Sequence, residues 1–271
     1  CHNTRYLAYL LSQMNLGRLS GQSAQPGLSV KTLAKQVIEL PPLDVQNKVV
    51  AVLSSLDSKI ALNEKINDNL QQQATALFSS LYDRSNTEVR FTDLIQILGG
   101  GTPKTGESTY WNGNIAFFTP KDVSHSPFCV STEKHLTVEG LNNCSSRLYP
   151  PFATFVTCRG TVGNLAMAGV SMAMNQSCYA LKGKDDFPPL FVFSFTRYVI
   201  ATMKKKASGA VFSALVTRDF EMEKVFEPNI DDANLFQKRV EPLFAQILAN
   251  TNEIQQLSDL QNALLAQLSS F

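Results

Sequence analysis

The stretch GGGTPKTGESTYWNG, residues 99–113, carries the glycines and the lysine that a phosphate-binding loop uses, and their spacing tests that chemistry. From Gly101 the frame G-x-x-x-x-G closes on Gly106. The next position, where such a loop places the lysine that reaches the terminal phosphates, is Glu107, and a carboxylate there repels phosphate. The run LYPPF, residues 148–152, approaches the Asn/Asp-Pro-Pro-aromatic frame that offers a carbonyl acceptor to an extruded adenine. Tyr149 stands in the acceptor position, its side chain has no carbonyl, and no glycine-rich strand-to-helix turn of the S-adenosylmethionine-binding kind precedes it. The five cysteines, Cys1, Cys129, Cys144, Cys158 and Cys178, are odd in number and lack C-x-x-C spacing, so they suggest neither a zinc cage nor a disulfide framework. His2, His125 and His135 show neither metal-ligand spacing nor a nucleophile partner, and read as surface or packing residues. The chemistry-bearing residue types point away from catalysis.

The elements that would carry these residues are set by a repeat. From Val49, seam positions recur at 53, 56, 60, 63, 67, 70, 74, 77 and 81, an unbroken 4-3 spacing. Shifted by 187 residues the same frame returns: Phe236, Val240, Leu243, Ile247, Asn250, Ile254, Leu257, Gln261, Leu264 and Leu268. Asp44 after LPPL and Asp231 after EPNI read as the N-caps of two helices, each about 60 Å long at the α-helical rise. Upstream of each helix the chain shares a Ser-Gly, a short loop, a helix-like stretch and an extended run, over residues 18–43 and 206–230. Residues 1–43 thus read as the tail of one globular domain, 44–83 as a spacer helix, 84–228 as a complete domain and 229–271 as a second helix. Asn63 and Asn250 occupy equivalent seam positions, where a buried amide fixes register and an open seam leaves it hydrated.

The 271 residues, 44% hydrophobic, are enough for one large core or two modest ones. The net charge of +1 hides a segregation: residues 84–228 hold fifteen basic and twelve acidic side chains, whereas 229–271 hold two and five. Positive globular parts and negative helices suit a protein whose domains meet a polyanion while its helices meet other proteins. No apolar run approaches a membrane span and no signal peptide is recognisable, so a reducing cytoplasm is the expected home. The chain starts at Cys1 inside a helix-like run, Tyr6, Leu7, Leu10 and Leu11, and is read as a piece of a longer protein.

The blocks LPPLDVQNKVVAVLSSLDSKIALNEKINDNLQQQATALFSSL, GGGTPKTGESTYWNGNIAFFTPKDVS, RGTVGNLAMAG, NQSCYAL and SAQPGLS, in this arrangement, resemble the specificity subunits of type I restriction-modification enzymes. The resemblance implies an α+β chain in which α/β target recognition domains alternate with two long helices packed as an antiparallel coiled coil. It implies a non-catalytic reader of one half of a bipartite double-stranded DNA sequence. The helices would dock methyltransferase (M) subunits that carry S-adenosylmethionine, and through them restriction (R) subunits that use ATP and Mg, with no cofactor or metal in this chain. A half-size subunit that forms a homodimer, and a coiled-coil adaptor without DNA binding, are the alternatives. The chain departs from the family pattern in lacking most of the first recognition domain.

Phosphates are met by Lys, Arg, hydroxyls and backbone amides, and base edges by Arg, Asn and Gln. By type and loop position the candidates are Thr102, Lys104, Lys121, Arg159, Asn175, Gln176, Lys204, Lys205 and Lys206, with Gln22, Ser23 and Gln25 in the partial domain. Tyr110 and Trp111 read as core residues. GGGTP reads as a tight turn after the strand-like run FTDLIQIL, and Asn112-Gly113 as a turn. The coiled-coil seam is expected at Leu53, Leu56, Ile60, Asn63, Leu70, Leu77, Val240, Leu243, Ile247, Asn250, Leu257 and Leu264.

Overall fold

A computed structural model describes residues 2–14, 16, 29–82, 87–206 and 214–268. The helices are α1 (Thr4–Gln13), α2 (Val30–Leu33), α3 (Leu43–Leu81), α4 (Phe91–Leu94), α5 (Val138–Asn142), α6 (Pro189–Lys206), α7 (Thr217–Met222) and α8 (Ile230–Leu268). The strands are β1 (Glu88–Arg90), β2 (Ile95–Gly99), β3 (Trp111–Phe118), β4 (Phe128–Cys129), β5 (Lys134–Leu136), β6 (Thr154–Thr157), β7 (Leu165–Ala168), β8 (Met172–Met174), β9 (Cys178–Gly183) and β10 (Lys224–Phe226).

α3 and α8 are each 39 residues long, and both ends of one stand 187 residues from the ends of the other, 43 to 230 and 81 to 268. The repeat read from the heptads is therefore a repeat of elements, and α2 and α7 precede the two helices in the same order. The caps differ from expectation. Asp44 and Asp231 lie inside the first turns, where a negative charge complements the positive end of the helix dipole. Asn229 caps α8 instead, its Oδ1 accepting from the Asp231 backbone N–H at 2.7 Å.

The chain forms two compact units, residues 1–64 with 253–271, and residues 65–252. In the first, α3 and α8 run antiparallel: Leu53 packs with Leu265 and Leu268, Asp57 accepts from Gln261 Nε2 at 2.5 Å, and Asn63 Nδ2 donates to Glu253 at 2.7 Å. Tyr6 and Leu10 of α1 close this cluster. The Tyr9 phenol donates to Asp57, and burial together with that carboxylate pushes its pKa up to about 12.

In the second unit the antiparallel pairing brings Asn250 Nδ2 to Asn67 Oδ1 at 2.8 Å and the rings of Phe78 and Phe236 to 5.6 Å. Asn67 and Asn250 are buried, so this amide pair is a dry one. Of the expected seam positions, Leu53, Asn63, Val240, Ile247 and Asn250 are buried, while Leu56, Ile60, Leu70, Leu77, Leu243, Leu257 and Leu264 are half-buried. Phe78 and Phe244, one residue past Leu77 and Leu243, are buried more deeply than those leucines because their rings also pack against Phe191 and Phe193 of α6.

The second unit holds a five-stranded sheet, β2-β9-β6-β7-β4, a three-stranded sheet, β5-β3-β8, and the two-stranded β1-β10 ribbon. Successive residues of a strand face opposite sides. Val156 and Leu181 pack beneath α6, whereas Phe155 and Ala180 meet Phe118 and Met174 in a second core between the sheets. Two local readings are corrected here. The first half of FTDLIQIL is the short helix α4, whose start is held by Asp93 accepting from the Arg90 backbone N–H at 3.1 Å. Asn112, at φ 62°, sits inside β3 at an irregularity in its pairing with β5 and not in a turn before it.

Candidate nucleic-acid interface

A cleft of about 340 Å³ in the second unit is lined by Lys121, Lys134, Arg159, Asn175 and Ser177, among others. Three of these, Lys121, Arg159 and Asn175, are expected DNA-contact residues, and the fold brings them together from distant parts of the chain. Lys121 lies in the 3-10 turn Pro120–Asp122 that follows β3. Lys134 opens β5. Arg159 leads the turn between β6 and β7, where Gly160 and Gly163 adopt φ of 77° and 74°, a conformation that disfavours larger residues. The Thr157 hydroxyl, fully buried, closes that turn by donating to the Thr161 carbonyl and accepting from the Asn164 N–H.

Asn175 follows β8, and its backbone N–H donates to the Phe118 carbonyl at 3.0 Å. Its side-chain carbonyl accepts from the Ser177 N–H at 3.0 Å, so the amide is a structural turn whose NH₂ remains for a ligand. Gln176 accepts from the Thr102 hydroxyl, which draws Thr102 to the same edge. That approach requires Gly100, where an added Cβ would stand 2.1 Å from the Asn175 carbonyl oxygen. Lys104 is exposed, and its carbonyl accepts from Trp111 Nε1 at 3.2 Å. Trp111 packs edge-on against Phe117, with the Lys134 ammonium 5.6 Å from its ring centre. Trp111 and Tyr110, expected in the core, are only half-buried, with Trp111 at the edge of the Phe117 cluster and a cation on its outer face.

The three lysines ending α6 do not act alike. Lys204 Nζ donates to the Gly163 carbonyl at 3.0 Å, Lys205 is exposed, and Lys206 is paired with the nearly buried Glu223 carboxylate at 2.6 Å. Gln22, Ser23 and Gln25 lie outside the described residues. Lys134 and Ser177 were not legible as members of this cleft, because β pairing and not sequence spacing places them there.

The cleft's geometry depends on Asp122. Its carboxylate accepts from the Thr119 N–H at 2.7 Å, the Thr119 hydroxyl at 2.7 Å and the Glu133 N–H at 2.9 Å, tying the Lys121 turn to the strand that carries Lys134. The Thr-Pro-Lys-Asp capping box is a signal that a sequence reading can find. Replacing Asp122 with Ala makes the cleft more positive, which by charge alone would tighten a polyanion. Loss of three charge-assisted hydrogen bonds loosens both lysines, and we expect duplex binding to weaken about fivefold. Tighter binding by fluorescence anisotropy would show that Asp122 acts only as a charge.

Other chemistries find no support at these residues. Residues 101–107 lead into a three-residue 3-10 turn, Ser108–Tyr110, and not into the helix a phosphate loop requires. Tyr149 is buried and its hydroxyl donates to the Gly99 carbonyl at 3.1 Å. Burial pushes the thiols of Cys129 and Cys158 up to about 12 and about 11, and raises that of Cys178, away from thiolate chemistry. Among the described residues no group of His, Cys, Asp and Glu could hold a metal ion, and no helix is long and apolar enough to cross a membrane.

Residues 1–72 and 84–259 match the family described as the type I restriction modification DNA specificity domain. The chain is 22% identical to the HindI specificity subunit of Haemophilus influenzae, over 90% of this chain and 70% of that one. It is 26% identical to the MjaIX specificity subunit of Methanocaldococcus jannaschii, over 46% of this chain and 30% of that one. Among solved structures, the S subunit of a type I restriction-modification system from M. genitalium shares the fold, with a TM-score of 0.61 and 15% identity over 98% of this chain and 72% of that one.

Proposed function

The chain belongs to the type I restriction-modification DNA specificity family, and we propose that its globular residues, 84–228, read one half of a bipartite duplex sequence while its long helices hold methyltransferase subunits. The observation that carries this reading is the cleft: Lys121, Lys134 and Arg159 face one space together with Asn175. Two lysines and an arginine supply the phosphate contacts that set position, and an amide edge supplies base discrimination. Thr102 and Gln176 extend the polar edge beside it. Specificity subunits are non-catalytic, and the group transfer belongs to the methyltransferase partners with their S-adenosylmethionine. Restriction subunits, with ATP and Mg, would join through those partners.

Residues 1–43 correspond in this reading to the tail of a first recognition domain, and residues 84–228 to a second one. A half-size subunit would pair its helix with a second copy. Here α8 of the same chain faces α3 at Asn67–Asn250 and Phe78–Phe236, which favours pairing within the chain.

In the first unit, α3 leaves Val52 and Leu62 exposed. Exposed apolar side chains on a long helix suit a protein partner. Mixed with its cognate methyltransferase subunits, S-adenosylmethionine and target duplex, the chain should confer sequence-selective adenine methylation, and alone it should transfer no methyl group. Replacing Val52 and Leu62 together with Asp should abolish that methylation and leave duplex affinity of the chain alone within about twofold. Methylation by the chain alone would overturn the scaffold reading, and loss of DNA binding from the helix substitutions would overturn the division of labour.

A further inference from the structure

Beyond the cleft, the second unit contains a cation whose surroundings do not account for it. Arg197 projects from α6, half-buried, with its guanidinium over the Phe193 ring at 5.6 Å and, among the described residues, one hydrogen bond, from Nη2 to the Thr75 hydroxyl at 2.5 Å. Among the described residues no carboxylate pairs with it. The acid at hand, Asp68, is turned onto His125, with Nε2 to Oδ1 at 2.7 Å. A guanidinium has five donors, and burial lowers the Arg197 pKa, which means that the charge is held at a cost. Such a group is conserved energy for a ligand or a fault in the packing.

The space in front of it favours a ligand. Two cavities, of about 540 Å³ and about 350 Å³, share Gln71, His125 and Arg197 in their walls. The smaller also takes in Ser124 and Asn164. Gln71, Ser124, Asn164 and Arg197 thus line this space with the amide, hydroxyl and guanidinium donors an oxyanion requires, and the Asp68 carboxylate, which also lines the larger cavity, is held by His125. Part of the smaller cavity's wall comes from the same two loops that help build the cleft: 119–127 carries Lys121 and Ser124, and 158–164 carries Arg159 and Asn164, while α3 supplies Gln71 and α6 Arg197. Lys204, bonded to the Gly163 carbonyl, stands at the same turn.

We propose that Arg197 and its neighbouring donors form a second phosphate seat, which takes a phosphodiester of the duplex backbone beyond those held at the cleft. The inference rests on the DNA-reading function proposed above. It extends that interface along the two loops towards α3.

The test uses the full chain, a fluorescently labelled duplex without a target sequence, and a salt series. Arg197→Gln should weaken binding about threefold to tenfold and lower the slope of log affinity against log salt by about one, while Arg197→Lys keeps the slope. In the absence of DNA, Arg197→Gln should unfold at a denaturant concentration no lower than the parent, because a neutral group relieves the burial of charge. A purely structural arginine predicts the reverse, lost stability with unchanged affinity and slope, and that result overturns the proposal. Unchanged DNA binding with weakened capture of methyltransferase subunits would assign the notch to a protein carboxylate and overturn it equally. If Arg197→Gln does not fold, Ser124→Asp sets a like charge at the exposed rim of the notch, and full affinity in that variant refutes the seat. Lys121→Ala with Arg159→Ala, measured alongside, separates failure of this seat from failure of the interface as a whole.

Discussion

Replacing Lys121 and Arg159 together with Ala is expected to weaken duplex binding on the order of thirtyfold at low salt, and to lower the slope of log affinity against log salt by about two. In the proposed interface each side chain would neutralise one phosphate, and each lost contact would return about one counterion to the duplex. The loss should be equal for target and non-target sequences, because phosphate contacts carry no sequence information. Asn175→Ala provides the contrast: its side-chain carbonyl holds a turn and the residue lines the cleft, so the variant should lose discrimination while keeping most of its salt slope. Anisotropy titrations across a salt series read both quantities. If the double variant keeps its affinity and slope, the cleft is not the nucleic-acid interface.

The long helices were legible in the sequence because a heptad stripe is a local code, repeated every seven residues and here written twice. Pro242 did not break the reading, since α8 continues through it at an exposed position where a freed carbonyl can turn to water. What sequence missed was set by distant packing. Phe78 outranks Leu77 because α6, more than a hundred residues on, offers Phe191 to its ring. The first half of FTDLIQIL turned helical because Asp93 reaches back to the Arg90 N–H, a local hydrogen bond that an apolar pattern does not reveal.

The cleft was legible by residue type and illegible by membership. Lys121, Arg159 and Asn175 carried the right chemistry on turns, but no spacing rule unites positions 121, 134, 159 and 175. They meet because β3 pairs in parallel with β8 and antiparallel with β5, while β6 lies against β9 in the neighbouring sheet. The same pairing explains why Lys206 looked equivalent to Lys204 in sequence and differs in structure: Glu223, just before β10, takes its charge.

The Asn67–Asn250 pair decides whether polar residues in this seam are tolerated or required. Asn250 donates to Asn67 at 2.8 Å and accepts from Gln246 at 2.7 Å, and both asparagines are buried, so neither amide can exchange its partner for water. Asn250→Leu should therefore destabilise the second unit by about 2 kcal/mol, since it strands the Asn67 amide in an apolar seam. Asn67→Leu added to it should recover most of that loss, because two apolar side chains leave nothing unsatisfied, and the coupling between the sites is the quantity to measure. The sole tryptophan, Trp111, lies in this unit and reports its unfolding in denaturant. Register should survive the double change. Phe78, Tyr82 and Phe236 lock the helix pair against Phe191 and Phe195 of α6, so cysteines placed at Ala74 and Val240, both fully buried, should crosslink in the parent and the double variant alike. A single variant as stable as the parent would mean the amides are hydrated. A crosslink lost only in the double variant would mean that the amide pair, and not the domain packed against it, sets the alignment of the two helices.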